Sequence, residues 1–198
     1  MGTRSDIIVH RADGKWHRIY CHWDGYLDHN GKILFDHYTS QKKVDSLVAL
    51  GDISSLGEEI GEKHPFEWRS TKIDGRSYYD YPRSKLPARY KKWEKWCLAY
   101  GRDRNEQDVA GTVGDTLFEV WPEHDTWTEF TYVWCDANIT EIPKDPCWWV
   151  ADPDKGTQDL VNLGDALQGK ISVRPAIKVP FLGVIGQHPK HDPFKPVR

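Results

Sequence analysis

The sequence predicts an α+β fold: a single domain with an antiparallel sheet of about five strands, three to four short helices and a Pro-rich C-terminal tail. Three observations predict it. Strand-type alternation opens the chain and returns in its second half, with short helical periodicities between, which favours antiparallel neighbours. No long Gly/Ser or Pro linker divides the 198 residues, a length that can bury a sizeable core. Beyond Lys170, Pro175, Pro180, Pro189, Pro193 and Pro196 exclude a long helix or a central strand. These place one domain at 1–170, with a basic, aromatic excursion at 66–95, and a tail at 171–198.

Residues 5–10 and 15–22 read as a hairpin closed through Ala12-Asp13-Gly14, where Gly supplies a positive φ. Alternation along the second strand puts His17, Ile19, Cys21 and Trp23 on the core side and Trp16, Arg18, Tyr20 and His22 on the more polar face. Residues 32–38 and 41–51 fit two short helices, the second with Val44, Leu47 and Val48 at helical spacing, Ser40 at the N-cap and Gly51 at the C-cap. Residues 53–60 add a further turn. The excursion is loop-rich and ends in a short helix near 88–95, followed by a buried strand at 96–100 that Gly101 stops. Residues 112–120 are weakly helical, 129–135 are β-prone, 147–150 pair with them, and 159–167 form a last amphipathic helix. Trp148 and Trp149, as adjacent strand residues, divide between core and surface. The tail's apolar run 179–185 is suited to docking on the body or on another subunit.

Hydrophobic content is 38%, offset by 10 Trp, 9 Tyr and 6 Phe, since each aromatic ring buries roughly 150–250 Å². An aromatic-rich core is expected. Residues 1–6 carry no apolar signal region, and no run approaches the roughly 20 apolar residues of a membrane span, so the expectation is a soluble protein of the cytoplasm with no membrane partner. Cys21, Cys97, Cys135 and Cys147 lack CxxC or zinc-finger spacing and sit in apolar segments, as buried thiols do.

A net charge of −3 conceals segregation. Residues 69–102 hold ten Lys/Arg against three Asp/Glu, a balance of +7, and residues 103–165 hold fifteen Asp/Glu against three Lys/Arg, a balance of −12. Arg83, Lys85 and Arg89 with Tyr90 and Trp93 combine cations and flat rings, the mixture that binds nucleotides, single-stranded nucleic acid or a protein partner. The alternative is that this arm folds on the protein's own acidic segment. No Walker loop, GxGxxG, RNP-type or helix-turn-helix pattern is present, and no cofactor is implied.

His22, Asp24 and Tyr26 fall in Cys21-His22-Trp23-Asp24-Gly25-Tyr26, with Asp28, His29, Asp36 and His37 nearby. An imidazole beside carboxylates suits a metal or acid–base chemistry near neutral pH, yet no HExxH or HxxxH spacing appears, and Asp24-Gly25 is also an ordinary turn. Tyr100, Arg102, Asp103 and Arg104 form Tyr100-Gly101-Arg102-Asp103-Arg104, which can present guanidinium forks to a phosphate or serve in a structural ion pair. If the two stretches share a sheet end, His22, Asp24 and Tyr26 meet Tyr100 and Arg102. In Gly51-Asp52-Ile53-Ser54-Ser55-Leu56-Gly57 the Asp and Ser residues are expected to cap the next helix. His188, His191 and Asp192 have metal-compatible spacing in the tail.

These three stretches together resemble small, uncharacterised proteins of tailed phages and prophages. The resemblance implies a phage provenance, a host-cell cytoplasmic location and an accessory role such as counter-defence, without implying a reaction. The expectation is a non-enzymatic binder of a nucleotide-like anionic ligand or a host protein at His22, Asp24, Tyr26 and Tyr100 with Arg102, Asp103 and Arg104. Two alternatives are a metal-assisted phosphoester hydrolase using His22 and Asp24, and a nucleic-acid or protein binder using residues 69–95.

Overall fold

A computed structural model describes residues 2–122, 128–135, 147–151, 159–169 and 177–178. Strands β1 (Ser5–His10) and β2 (Trp16–Cys21) form the expected hairpin, with Gly14 at φ +82° and its N–H donating to the Arg11 carbonyl. Strands β8 (Phe130–Cys135) and β9 (Cys147–Ala151) pair antiparallel, also as expected. The remaining strands are β3 (Ile53–Ser55), the two-residue β4 (Lys72–Ile73) and β5 (Arg76–Ser77), β6 (Leu98–Ala99), β7 (Thr112–Gly114), β10 (Asp159–Asn162) and β11 (Ile177–Lys178).

The α+β class holds, but the expected sheet of about five antiparallel strands is corrected. Among the described residues the sheet has nine strands, in the order β11-β10-β9-β8-β1-β2-β3-β6, with β7 alongside the first half of β2. Two pairings are parallel, β1 with β8 and β2 with β3. Each brings together segments distant in sequence, which local periodicity does not reveal.

Helices α1 (Lys32–His37), α2 (Gln41–Val48) and α6 (Leu163–Leu167) cover one face. There Ile7, Val9, Ile19, Cys21, Tyr132, Trp134, Trp148 and Val150 meet Leu34, Val44, Leu47, Val48 and Leu163. Ser40 does occupy the α2 N-cap, although its side chain makes no capping bond, and Gly51 follows the helix at φ +71°. On the other face α5 (Leu117–Val120) packs near Ile8, Trp16, Val133 and Trp149. Trp148 and Trp149 are therefore both buried rather than divided between core and surface, because both faces are covered. Trp23 departs from its expected core position. It is 46% exposed, because β2 ends at Cys21 and Asp24 turns the chain at φ +57°.

Three other segments differ from expectation. Residues 53–55 are a strand rather than a helical turn, with Ile53 sandwiched between Cys21 of β2 and Ala99 of β6. The weakly helical 112–120 divides into β7 and α5, whose N-terminus Thr116 caps by accepting the Glu119 N–H. The helix expected at 159–167 divides at Asn162, whose side chain accepts the N–H groups of Gly164 and Asp165 and so ends β10 and starts α6.

Between β3 and β6 at the sheet edge lies the excursion, which has its own small core of Trp68, Ile73, Tyr78, Leu86, Tyr90 and Leu98. Its β4–β5 hairpin turns on Asp74-Gly75, both at positive φ, a two-residue turn that the Asp-Gly pair favours. Helix α3 (Ala88–Trp93) is followed by β6 and by α4 (Tyr100–Arg104), so the strand expected at 96–100 shrinks to Leu98–Ala99 and Gly101 lies inside a helix. Cys21, Cys97 and Cys135 are buried and Cys147 is half-buried, all four as thiols. No helix among the described residues is long and apolar enough to cross a membrane. Apart from residues 177–178, the tail lies outside the described residues, including the run 179–185 and His188, His191 and Asp192.

Candidate functional site

Strand β3 lies between β2 and β6, so the end of the hairpin and the start of α4 are two strands apart at one corner of the sheet. Asp52 ties the corner together. Its carboxylate accepts the Tyr20 N–H at 2.8 Å, and its carbonyl accepts the Tyr100 N–H at 3.1 Å. The His22 and Trp23 N–H groups donate to the carbonyls of Ile53 and Ser54, each at 3.1 Å. Alternation places Arg18, Tyr20 and His22 on one face of β2, and Asp6 of β1 lies directly across from Tyr20.

A polar cluster results. The Tyr20 hydroxyl and His22 Nδ1 are 3.1 Å apart, and Arg18 Nε is 4.0 Å from the buried Asp6 carboxylate. Burial pushes the Asp6 and Asp52 carboxyls above the usual carboxylate range, with Arg18 opposing in each case. Burial, then the Arg4 charge, holds the His22 imidazole below its ordinary range. Burial raises Tyr20 and pushes Tyr100 up to about 12, with the Tyr20 phenol adding to the latter. Burial thus disfavours the charged forms of Asp6, Asp52 and His22, while a count of formal charges sets Arg4 and Arg18 against Asp6 and Asp52. The corner can hydrogen-bond a polar group and has no excess of formal positive charge with which to hold an anion.

Of the residues expected here, His22 and Tyr100 reach this corner and several others do not. No hydrogen bond or ring contact links Asp24 or Tyr26 to Tyr100 among the described residues. The Asp24 carbonyl accepts the Asn30 N–H, while Tyr26 is 40% exposed with its ring 5.8 Å from that of His29. Gly25 is pinned against the first residues of the chain. Its N–H donates to the Thr3 carbonyl at 2.7 Å, and an added Cβ would come within 2.6 Å of the Arg4 backbone. Arg102 turns inward. Its guanidinium grips both oxygens of Asp103 and donates to the carbonyls of Ile60, Gly61 and Cys97, while Asp103 also accepts the N–H groups of Ala99 and His64. This pair clamps the 60–64 loop to α4. Arg104 is surface-exposed, near Glu106 at 3.6 Å and over the Phe66 ring. In the Gly51–Gly57 motif, Asp52 holds Tyr20 and Ser54 and Ser55 belong to β3 or its edge; none caps a helix.

Among the described residues, no three His, Cys, Asp or Glu side chains gather as metal ligands. His22 and Asp24 therefore have no third donor beside them there.

The excursion presents a different surface. Tyr90 is 4% exposed, packed with Trp68 and Tyr78, and hydrogen-bonded through its hydroxyl to Thr71 at 3.0 Å. Half-buried Trp93 lies between Tyr90 and His64. These rings are structural, and the cations remain outside. Arg83 pairs with Glu94 and Lys95 with Glu58, both partners lying within or beside the excursion. Arg89 lies over Tyr90 and Arg69 over Trp68, while Lys72, Arg76, Lys85, Lys91 and Lys92 are exposed. None of these seven has a carboxylate partner among the described residues.

Glu59, Lys91, Lys92, Lys95 and Trp96 line a half-open cleft of about 370 Å³. Its floor is firmly built: Glu59 and Trp96 form a parallel bridge, the Glu59 N–H donates to the Lys95 carbonyl at 2.9 Å, and the Cys97 N–H donates to the Glu59 carbonyl at 2.9 Å. The sequence signal for it was the run Lys91-Lys92-Trp93-Glu94-Lys95-Trp96, but the contribution of Glu59 depends on the non-local bridge.

The chain matches no family model, no curated protein and no solved structure. The site must be read from its own geometry.

Proposed function

We propose that this protein is a non-enzymatic binder of an anionic partner, which it engages through the outward-facing cations of the excursion. The carrying observation is that seven cations between residues 69 and 92 lack carboxylate partners among the described residues, whereas the polar corner is formally balanced. Unpaired surface cations attract over a screening distance of about 8 Å at physiological salt. The resemblance of the Cys21–Tyr26 and Tyr100–Arg104 stretches to phage proteins supports an accessory role in a host cell, with counter-defence as one form of it.

A nucleotide-like ligand at His22 and Tyr100 is the second reading, favoured by their meeting with Tyr20 at one corner. It would rely on hydrogen bonds rather than charge, because Arg102 is committed internally. Hydrolysis through His22 and Asp24 would require a further ligand.

Fluorescence anisotropy with labelled long-chain polyphosphate tests the main reading. Affinity should fall steeply and log-linearly with salt, and quadruple neutralisation (Lys85→Gln, Arg89→Gln, Lys91→Gln, Lys92→Gln) should flatten that slope by roughly 3 to 4 units. Salt-independent binding, or no binding at low salt, would rule the reading out.

A further inference from the structure

We infer that the cleft between α3 and the Glu59–Trp96 bridge seats one nucleotide of a single-stranded nucleic acid, with the base against Trp96 and flanking phosphates on Lys91, Lys92 and Lys95. This deepens the proposed anionic-partner reading and rests on it. The volume of about 370 Å³ is of the size of ordinary small-ligand sites, which start near 300 Å³. A patch made for charge alone would need neither a cavity nor a ring.

The ring is fixed in place. Trp96 Nε1 donates to Glu59 Oε2 at 3.2 Å, and its pyrrole edge lies where a Gly61 Cβ would come within 2.2 Å of Cγ, so the indole rests on bare backbone. Gly61 is also at φ +69°, so a side chain there is doubly disfavoured. His64 approaches edge-on at 5.7 Å. A half-buried indole held on several sides and opening on a cleft is a preorganised stacking platform.

Lys91 and Lys92 are exposed and have no carboxylate partner among the described residues, while Lys95 is shared with Glu58 at 3.1 Å. Glu59 opposes phosphate at close range, but one of its oxygens is engaged by Trp96 and the other can accept an exocyclic base amine. Cations at the rim and an acceptor beside the ring match a nucleotide better than a bare phosphate. Single strands are favoured over duplex because a paired base cannot reach a recessed ring. Nor has the excursion a long groove-reading element, since α3 spans only Ala88–Trp93 and the β4–β5 ribbon has two residues per strand.

The test measures anisotropy of labelled oligo(dA) ten nucleotides long, of a fully paired DNA hairpin and of long-chain polyphosphate. Trp96→Leu should weaken oligo(dA) by roughly 5- to 150-fold, the range associated with one lost base stack, and leave polyphosphate unchanged. Trp96→Phe should recover most of the loss. Lys91→Gln with Lys92→Gln should weaken both ligands and lower the salt slope for oligo(dA) by about 1.4. Circular dichroism melting of each variant separates lost binding from lost folding. If polyphosphate binds with the expected salt dependence but oligo(dA) does not, or the hairpin binds as well as oligo(dA), the nucleotide seat is overturned and the anionic-surface reading stands. If neither polyanion binds, both fall.

Discussion

Arg102→Ala distinguishes an internal clamp from a guanidinium presented to a ligand. Nε and one terminal nitrogen of Arg102 meet the two Asp103 oxygens at 2.9 and 2.8 Å, and the other terminal nitrogen reaches the Ile60 and Gly61 carbonyls at 2.8 and 3.2 Å. The Asp103 side chain is 0% exposed and that of Arg102 17%. Removing one partner of a buried pair costs about 3–5 kcal/mol, since it strands the other charge. Here Asp103 would keep two backbone donors, the N–H groups of Ala99 at 2.8 Å and His64 at 3.1 Å. These place the expected cost near the lower end, about 3 kcal/mol. For a domain of this size that is a melting shift of about 6–12 °C. Urea unfolding should show a lower midpoint with an unchanged slope. Asp103→Ala should cost a similar amount, and the double variant should fall short of the sum by about 1–3 kcal/mol. Arg102→Lys should recover little, because an ammonium cannot make the planar fork. A wild-type unfolding midpoint in Arg102→Ala, accompanied by lost affinity for an anion, would refute the clamp.

Two further outcomes follow from the same packing. Asp6 is buried with one oxygen lacking a partner among the described residues, and its carboxyl is raised above its ordinary value of 3.8 mainly by burial. The folded state therefore holds the proton more tightly than the unfolded chain, and wild-type stability declines as pH rises from 3.8 through the raised value. Asp6→Asn should remove that decline, so its advantage in urea midpoint should grow over this window and level off above it; an advantage independent of pH would contradict the burial account. Gly57→Ala places a Cβ 2.4 Å from the Lys95 carbonyl and 2.5 Å from the Trp96 backbone. It should cost about 1–3 kcal/mol in chemical unfolding and loosen the cleft floor, and a neutral substitution would show that these segments are not so close.

How much was legible in the sequence varied with the range of the interaction. The β1–β2 hairpin could be read because Gly14 lies between two alternating runs, and α2 because Val44, Leu47 and Val48 recur at helical spacing. At 159–167 the spacing of Leu160, Leu163 and Leu167 imitates one helix. Pairing with β9 makes the first half a strand, and the capping bonds of Asn162 start the helix. Strand β3 was hidden because three residues carry no period, and their conformation is set by neighbours on either side. At the candidate site, the expectation rested on the hairpin and the strand before Tyr100 being sheet neighbours, whereas β3 lies between them, and the inward turn of Arg102 depends on the carbonyls of residues 60, 61 and 97.

The sequence by itself determined the α+β character, the β1–β2 hairpin, the aromatic core and the separation of basic from acidic segments, because each follows from local pattern or composition. Tertiary structure decided the nine-strand order, the parallel pairings and the role of each charged group. Whether a cation is spent inside the fold or left for a partner depends on which distant backbone and carboxylate groups reach it. Arg102 found its partners in the core, while Lys91 and Lys92 remained at the mouth of a cleft.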